Sequence, residues 1–97
     1  MRRRPETLYE ASITNFKRVE KWLKREEANL QAKFKILAAR EKILARKSAK
    51  GMIPTKQEQR SYNTALGQTR AATVRYRKAR QAYDREIKEQ RAIANLR

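Results

Sequence analysis

Helix-interrupting residues are rare in this 97-residue chain, and the strongest group of them lies near its middle, from Gly51 to Pro54. Gly51 can adopt the left-handed backbone conformation that ends a helix, and Pro54 cannot continue one. Thr55 follows, and its spacing from Glu58 is that of a capping box, which starts a new helix. We therefore expect the chain to reverse direction here, between two long helices.

Both predicted helices carry heptad repeats. The predicted elements are a helix over about residues 6–48, a turn over about 49–54 and a helix over about 55–96. The first helix repeats Tyr9, Phe16, Leu23, Leu30, Leu37 and Leu44, and the second repeats Tyr62, Thr69, Tyr76 and Tyr83 with Ala65, Ala72 and Ala79 between them. For the alternate positions of the first helix we take Ile13, Glu20, Glu27, Phe34 and Glu41. This 3–4 spacing keeps one stripe of each helix facing a partner.

These repeats predict an all-α fold, a long antiparallel two-helix coiled-coil hairpin that forms a single domain over residues 1–97. Folding at the turn pairs positions whose numbers sum to about 106, so that Leu37 meets Thr69 and Phe34 meets Ala72. Large residues then oppose small ones, as close helix packing requires. We expect the glutamates of the first stripe to pair with Lys or Arg across the hairpin or between subunits.

A two-helix hairpin leaves much of its surface uncovered. The apolar stripe of the first helix is widened on one flank, and the candidate interface residues there are Leu8, Trp22, Ile36 and Ile43. A stripe of this width predicts a second contact, made by a homodimer that forms a four-helix bundle or by a larger homo-oligomer.

The composition argues against several classes of protein. The chain has no Cys and no His, so thiolate or imidazole metal sites, disulfides and Ser-His catalysis are absent. We predict neither an enzyme nor a cofactor or metal requirement. The longest unbroken apolar run is Ile36 to Ala39, which is too short for a signal peptide or a membrane span. The expected location is the cytoplasm, a nucleoid or a virion.

Positive charge dominates the chain and is concentrated around the turn. Lys and Arg number 26 against 10 Asp and Glu, a formal net charge of +16. Residues 42–80 hold eleven basic residues and one acid, Glu58, for a local net charge of +10. Opposite-charge pairs one helical turn apart, such as Glu20 with Lys24 and Asp84 with Lys88, are few. An imbalance of this size indicates an anionic partner, most often nucleic acid.

The candidate nucleic-acid-binding residues fall into two groups. The first is an N-terminal arm of Arg2, Arg3 and Arg4. The second comprises Lys42, Arg46, Lys47, Lys50, Lys56, Arg60, Arg70, Arg75, Arg77, Lys78 and Arg80. Arg is the main cation of the second helix, which favours bidentate phosphate contacts. Tyrosines could stack on unpaired bases, but their strict heptad spacing favours the seam between the helices.

The predicted function is that of a non-catalytic protein that grips the phosphate backbone of DNA or RNA without strong sequence specificity. Architectural, packaging and ribonucleoprotein roles fit, and a viral nucleoprotein is one concrete form. The alternative is a structural adaptor that docks its basic tip on an acidic protein partner.

Overall fold

The computed structural model describes the backbone of residues 8–96 and the side chains of residues 13–96. Over this range the chain forms two helices and no strand, α1 (Leu8–Ala49) and α2 (Lys56–Asn95). The two helices contact each other along their length in an extended hairpin that measures 68 × 33 × 13 Å. The predicted all-α helical hairpin is confirmed, and its smallest dimension shows that it is one helix thick.

The turn begins with a glycine-centred cap on α1. Gly51 has φ +70°, the left-handed conformation expected of it. Its amide donates to the carbonyl of Ser48 at 3.0 Å, and the amide of Met52 donates to the carbonyl of Lys47 at 2.8 Å. These two bonds make a Schellman motif, which satisfies carbonyls that the end of a helix would otherwise leave unpaired.

The start of α2 is the predicted capping box. The Thr55 hydroxyl accepts from the amide of Glu58 at 3.1 Å, and the Glu58 carboxylate accepts from the amide of Thr55 at 3.0 Å. An N-cap of this kind stabilises a helix by about 1 kcal/mol. Both ends of the turn are therefore held by local hydrogen bonds that the sequence specifies.

The stripe that α2 turns toward α1 is made of small residues, as its heptads predict. Ala65, Thr69, Ala72 and Ala79 are buried. The tyrosines at the same spacing, Tyr62, Tyr76 and Tyr83, are half-buried. Thr69 Oγ1 donates to the Ala65 carbonyl at 2.7 Å and lies 3.4 Å from the carbonyl of Lys33 on α1. Small side chains thus let the two backbones approach closely.

On α1 the predicted leucine stripe faces α2. Of the predicted alternate positions, Ile13 and Glu20 are half-buried as expected, but the later ones are wrong. Leu23 is buried, and Phe16, Leu30, Leu37 and Leu44 are half-buried. In contrast, Phe34 is 51% exposed, and Glu27 and Glu41 are exposed as well. The half-buried positions that alternate with the leucines are instead Val19, Glu26, Lys33, Arg40 and Lys47.

Lys33, Arg40 and Lys47 can occupy the seam because of the shape of long cationic side chains. Lys and Arg can lay their aliphatic stems along an apolar seam while their charged ends reach polar groups beyond it. Arg40 does so, because its Nη1 donates to the carbonyl of Ser61 on α2 at 2.7 Å.

The register of the two helices also differs from the predicted one. The contact between Thr69 and Lys33 pairs residue numbers that sum to 102, whereas the predicted sum is about 106. The register therefore differs from the predicted one by about four residues, one helical turn.

Three of the four predicted interface residues lie uncovered on the hairpin. Trp22 is 37% exposed, Ile36 40% and Ile43 47%. The fourth, Leu8, begins α1, and its side chain lies outside the described residues. Coverage of these side chains by a second copy stays a prediction. Over the described range, no segment of either helix has the length and apolar character needed to cross a bilayer.

Candidate nucleic-acid interface

Five exposed cations surround the turn, and we call them the basic tip. They are Lys42, Arg46, Lys50, Lys56 and Arg60. The last turns of α1 and the first turns of α2 place them together, because the chain reverses between Ala49 and Lys56. Within residues 13–96 none of the five forms an ion pair with a carboxylate. The tip is therefore a concentrated and unneutralised positive surface.

Lys47 was predicted to contact phosphate, but the structure gives it a protein partner. Its Nζ contacts Oε1 of Glu58, and the same oxygen accepts from the Thr55 amide. These contacts, first the bond from Lys47 and then the backbone bond from Thr55, lower the pKa of Glu58 from its ordinary value of 4.5 to about 2. Glu58 is the single acid of segment 42–80. Because Lys47 already pairs with it, its charge does not neutralise the other cations of this segment.

The arrangement leaves like charges close together on α1. Lys42 and Arg46 are one helical turn apart, and so are Arg46 and Lys50. Neighbours of the same sign at this spacing destabilise a helix by a few tenths of a kcal/mol each. A bound polyanion would relieve this repulsion, which gives the tip an electrostatic preference for a negatively charged partner.

The cations further along α2 do not form a single line. Arg70, Arg75, Arg77, Lys78 and Arg80 are all exposed. At 100° per residue, Arg75 and Arg77 lie on opposite broad faces of the hairpin. Arg80 already has partners, because its Nε lies 3.5 Å from Asp84 and its guanidinium lies 5.9 Å from the centre of the Tyr83 ring. The group encircles α2, and only part of it can face one ligand.

One side of α2 does continue the surface of the tip. Lys56, Arg70 and Arg77 are separated by multiples of seven residues and share that side, with spacings of about 21 and 10 Å along the axis. Lys56 therefore connects the basic tip with Arg70 and Arg77 on one side of α2. Arg60 lies 18 residues, or five turns, before Lys78 and connects the tip with Lys78 and Arg75 on the other side.

The arm of Arg2, Arg3 and Arg4 lies outside the described residues. The tyrosines are placed in the seam as expected, and Tyr83 packs against Phe16 with ring centres 5.4 Å apart. Predicted pairing of Glu20 with Lys24 is confirmed at 3.6 Å, whereas Asp84 pairs with Arg80 and not with Lys88.

Sequence reasoning missed a notch beside the tip. It has a volume of about 230 Å³ and is lined by Arg40, Ile43, Leu44, Gln57, Glu58 and Ser61. Its shape depends on the helix register, which the heptads alone did not give. No group of acidic residues in the described part of the chain is arranged to hold a metal ion.

The chain matches no protein-family model, no curated protein and no solved structure. Its function is therefore inferred from its own residues and their geometry.

Proposed function

We propose that this chain is a non-catalytic nucleic-acid-binding protein that grips the phosphate backbone of DNA or RNA through its basic tip. It acts as a homodimer or larger assembly in an architectural, packaging or ribonucleoprotein role, of which a viral nucleoprotein is one form. The observation that carries the proposal is a cluster of five exposed cations with no carboxylate partner in the described residues, in a chain of net charge +16.

Phosphate is the partner that suits this surface. Backbone contacts by Lys and Arg give affinity without sequence information, and nothing in the tip resembles a base-reading element. Bidentate guanidinium contacts are available from Arg46 and Arg60 at the tip and from Arg70 and Arg77 along α2. Together with the lysines of the tip, these arginines are enough to contact about six phosphates per chain.

One observation favours the alternative, a scaffold that docks its tip on an acidic protein. Ile53 is 89% exposed and Met52 is 53% exposed, directly between the tip cations. Exposed apolar residues next to charge are more typical of a protein contact than of a phosphate contact. If the tip binds phosphate, nucleic-acid affinity depends on the position of the cations. If the tip docks on a protein, nucleic-acid affinity depends only on the net charge of the chain.

A pair of charge-matched variants separates them. The tip variant carries Arg46→Glu, Lys50→Glu, Lys56→Glu and Arg60→Glu, and the control carries Lys17→Glu, Arg18→Glu, Lys21→Glu and Arg25→Glu. Each substitution changes the charge by two, so four of them lower +16 to +8 in both proteins. All eight positions are exposed, so circular dichroism should show unchanged helicity.

We expect the tip variant to lose about 100-fold in affinity for a short labelled DNA or RNA, measured by fluorescence anisotropy at fixed salt, because it loses several phosphate contacts. The control should lose less than about 10-fold. Equal losses in the two variants would reduce the interaction to the attraction of any polycation and would favour the adaptor.

A further inference from the structure

One broad face of the hairpin lacks charge at its middle, and we call it the uncharged face. Its exposed or half-buried residues are Ala32, Ile36, Ala39 and Ile43 of α1 with Ser61, Thr64, Gln68 and Ala71 of α2. The notch joins the two sets, because Ile43 and Ser61 both line it. Charged residues make up 37% of the chain, yet none of the eight is charged.

Charges border this face and occupy the opposite one. Arg46 and Lys50 lie at its tip end, and Arg75 and Lys78 lie beyond it on α2. On the opposite face, Glu41 of α1 and Arg70 and Arg77 of α2 are exposed. A face that combines exposed isoleucines with alanines and carries a charged rim has the character of an interaction surface. In a chain of net charge +16, a second copy approaches with least repulsion where the cations of one copy meet neutral residues of the other.

The face is complementary to itself under a two-fold rotation. Trp22, 37% exposed, lies on the same side of α1 as Ile36 and Ile43, and 21 residues or about 31 Å separate it from Ile43. A two-fold axis between Ala32 and Lys33 brings the Trp22 of one copy onto the notch of the other. The notch measures about 230 Å³, and a cavity of about 150 Å³ suffices for a benzene ring.

The charge distribution selects the direction of stacking. If both tips lay at the same end, residues 42–60 of the two copies, each of net charge +5 (six cations and one acid), would lie side by side. Reversing one copy places each tip beside the open end of the other, residues 13–32 and 84–96, where six acids offset all but two of eight cations. These acids are Glu20, Glu26, Glu27, Asp84, Glu86 and Glu89. The reversed arrangement lowers the repulsion between copies.

From these observations we propose that two hairpins stack antiparallel through the uncharged face, and that the dimer bridges two segments of nucleic acid. The axis near residue 32 places the two basic tips roughly 50 Å apart at opposite ends of the dimer. The bridging activity rests on the proposed function, whereas the stacking of the two copies does not.

The dimer is tested by a pair of variants on α1. The face variant carries Ile36→Glu and Ile43→Glu, and its control carries Ala38→Glu and Ala45→Glu, exposed positions on the opposite face. Sedimentation equilibrium should give about 23 kDa, twice 11.5 kDa, for the wild type and the control, and 11.5 kDa for the face variant. A monomeric wild type, or a face variant that stays dimeric, would overturn the proposal.

The direction of stacking is tested by cross-linking, since the natural chain has no cysteine. A chain with Asn29→Cys should form a disulfide with a chain carrying Ile36→Cys, because the two-fold axis makes these positions neighbours. If chains with Ile43→Cys and Ser61→Cys cross-link instead, the tips lie at the same end and the proposed geometry is wrong.

Bridging is measured by immobilising one DNA or RNA duplex and recording the retention of a second, fluorescent duplex. The wild type should retain it, and the face variant should bind the immobilised duplex but retain at least 10-fold less of the second. Retention by the face variant at the wild-type level would overturn bridging by this dimer. If the tip variant still binds the immobilised duplex at the wild-type level, the proposed function fails, while the cross-linking result stands independently.

Discussion

The middle of the seam and the turn are held together by different forces. Along the seam, Leu23 of α1 and Ala65, Ala72 and Ala79 of α2 are the buried apolar residues. At the turn, Gly51, Thr55 and Glu58 are ordered by hydrogen bonds and one ion pair. The polar groups that shape the turn are therefore used within it, and within residues 13–96 the five cations of the tip have no carboxylate partner.

Stability and binding can therefore be separated in this molecule. Apolar burial contributes about 25 cal/mol per Å², whereas exposed charge pairs contribute little. Substitutions in the seam should change the free energy of unfolding and leave the charge of the tip intact. Substitutions of the free cations should do the opposite.

The largest effect on stability is expected in the seam. Leu23 is 8% exposed, and Leu23→Ala should lower the free energy of unfolding by about 3 kcal/mol through lost burial and a cavity. Urea unfolding followed by circular dichroism measures it at one protein concentration. The matched control, Leu96→Ala at an 80% exposed position, should change the value by less than about 0.5 kcal/mol. Similar losses in both would show that Leu23 is not part of a packed core.

Alanine substitution of the two glycines should change the free energy of unfolding less than Leu23→Ala does, and in opposite directions. Gly51→Ala should cost about 1–2 kcal/mol, because an L residue is strained at φ +70° even though no atom crowds the position. Gly67→Ala, in the interior of α2 with nothing within 4 Å, should instead stabilise by about 1 kcal/mol. Thermal or urea unfolding compares the two, and a stabilising Gly51→Ala would contradict the left-handed cap.

The smallest expected change in the free energy of unfolding comes from the Lys47–Glu58 ion pair at the turn, and its pH dependence identifies it. Because the pKa of Glu58 is lowered to about 2, its contribution is present above pH 4.5 and is lost as the pH falls toward 2. The difference in unfolding free energy between the wild type and Glu58→Gln should therefore be constant near neutral pH and shrink between pH 4.5 and 2. Lys47→Met, which keeps the stem in the seam, should remove most of this pH dependence. An unchanged difference across that range would exclude the pair.

How far the sequence could predict the fold differs between the two helices. On α2 the alanines and tyrosines alternate cleanly, and their predicted positions are confirmed. On α1 the leucines mark half of the stripe, but both candidate sets of alternate positions are mostly polar. Periodicity could not choose between Phe34 and Lys33, because the choice depends on the register, in which Thr69 Oγ1 lies 3.4 Å from the backbone carbonyl of Lys33.

The same limit applies to the candidate site. Arg46 and Lys50, which the charge pattern assigns to a basic surface around the turn, are exposed. The partner of Lys47 was not predicted, because contact with Glu58 depends on the register across the turn. The encircling arrangement of Arg75 and Arg77 could have been derived from the 100° helical rotation alone.

If the cations of the tip bind phosphate backbone, nucleic-acid affinity must depend steeply on salt concentration. If about six phosphates are neutralised per chain, the logarithm of the association constant should fall against the logarithm of salt concentration with a slope near −5 for duplex. The tip variant should show a markedly shallower slope than its charge-matched control. A wild-type slope shallower than about −2 would contradict the account.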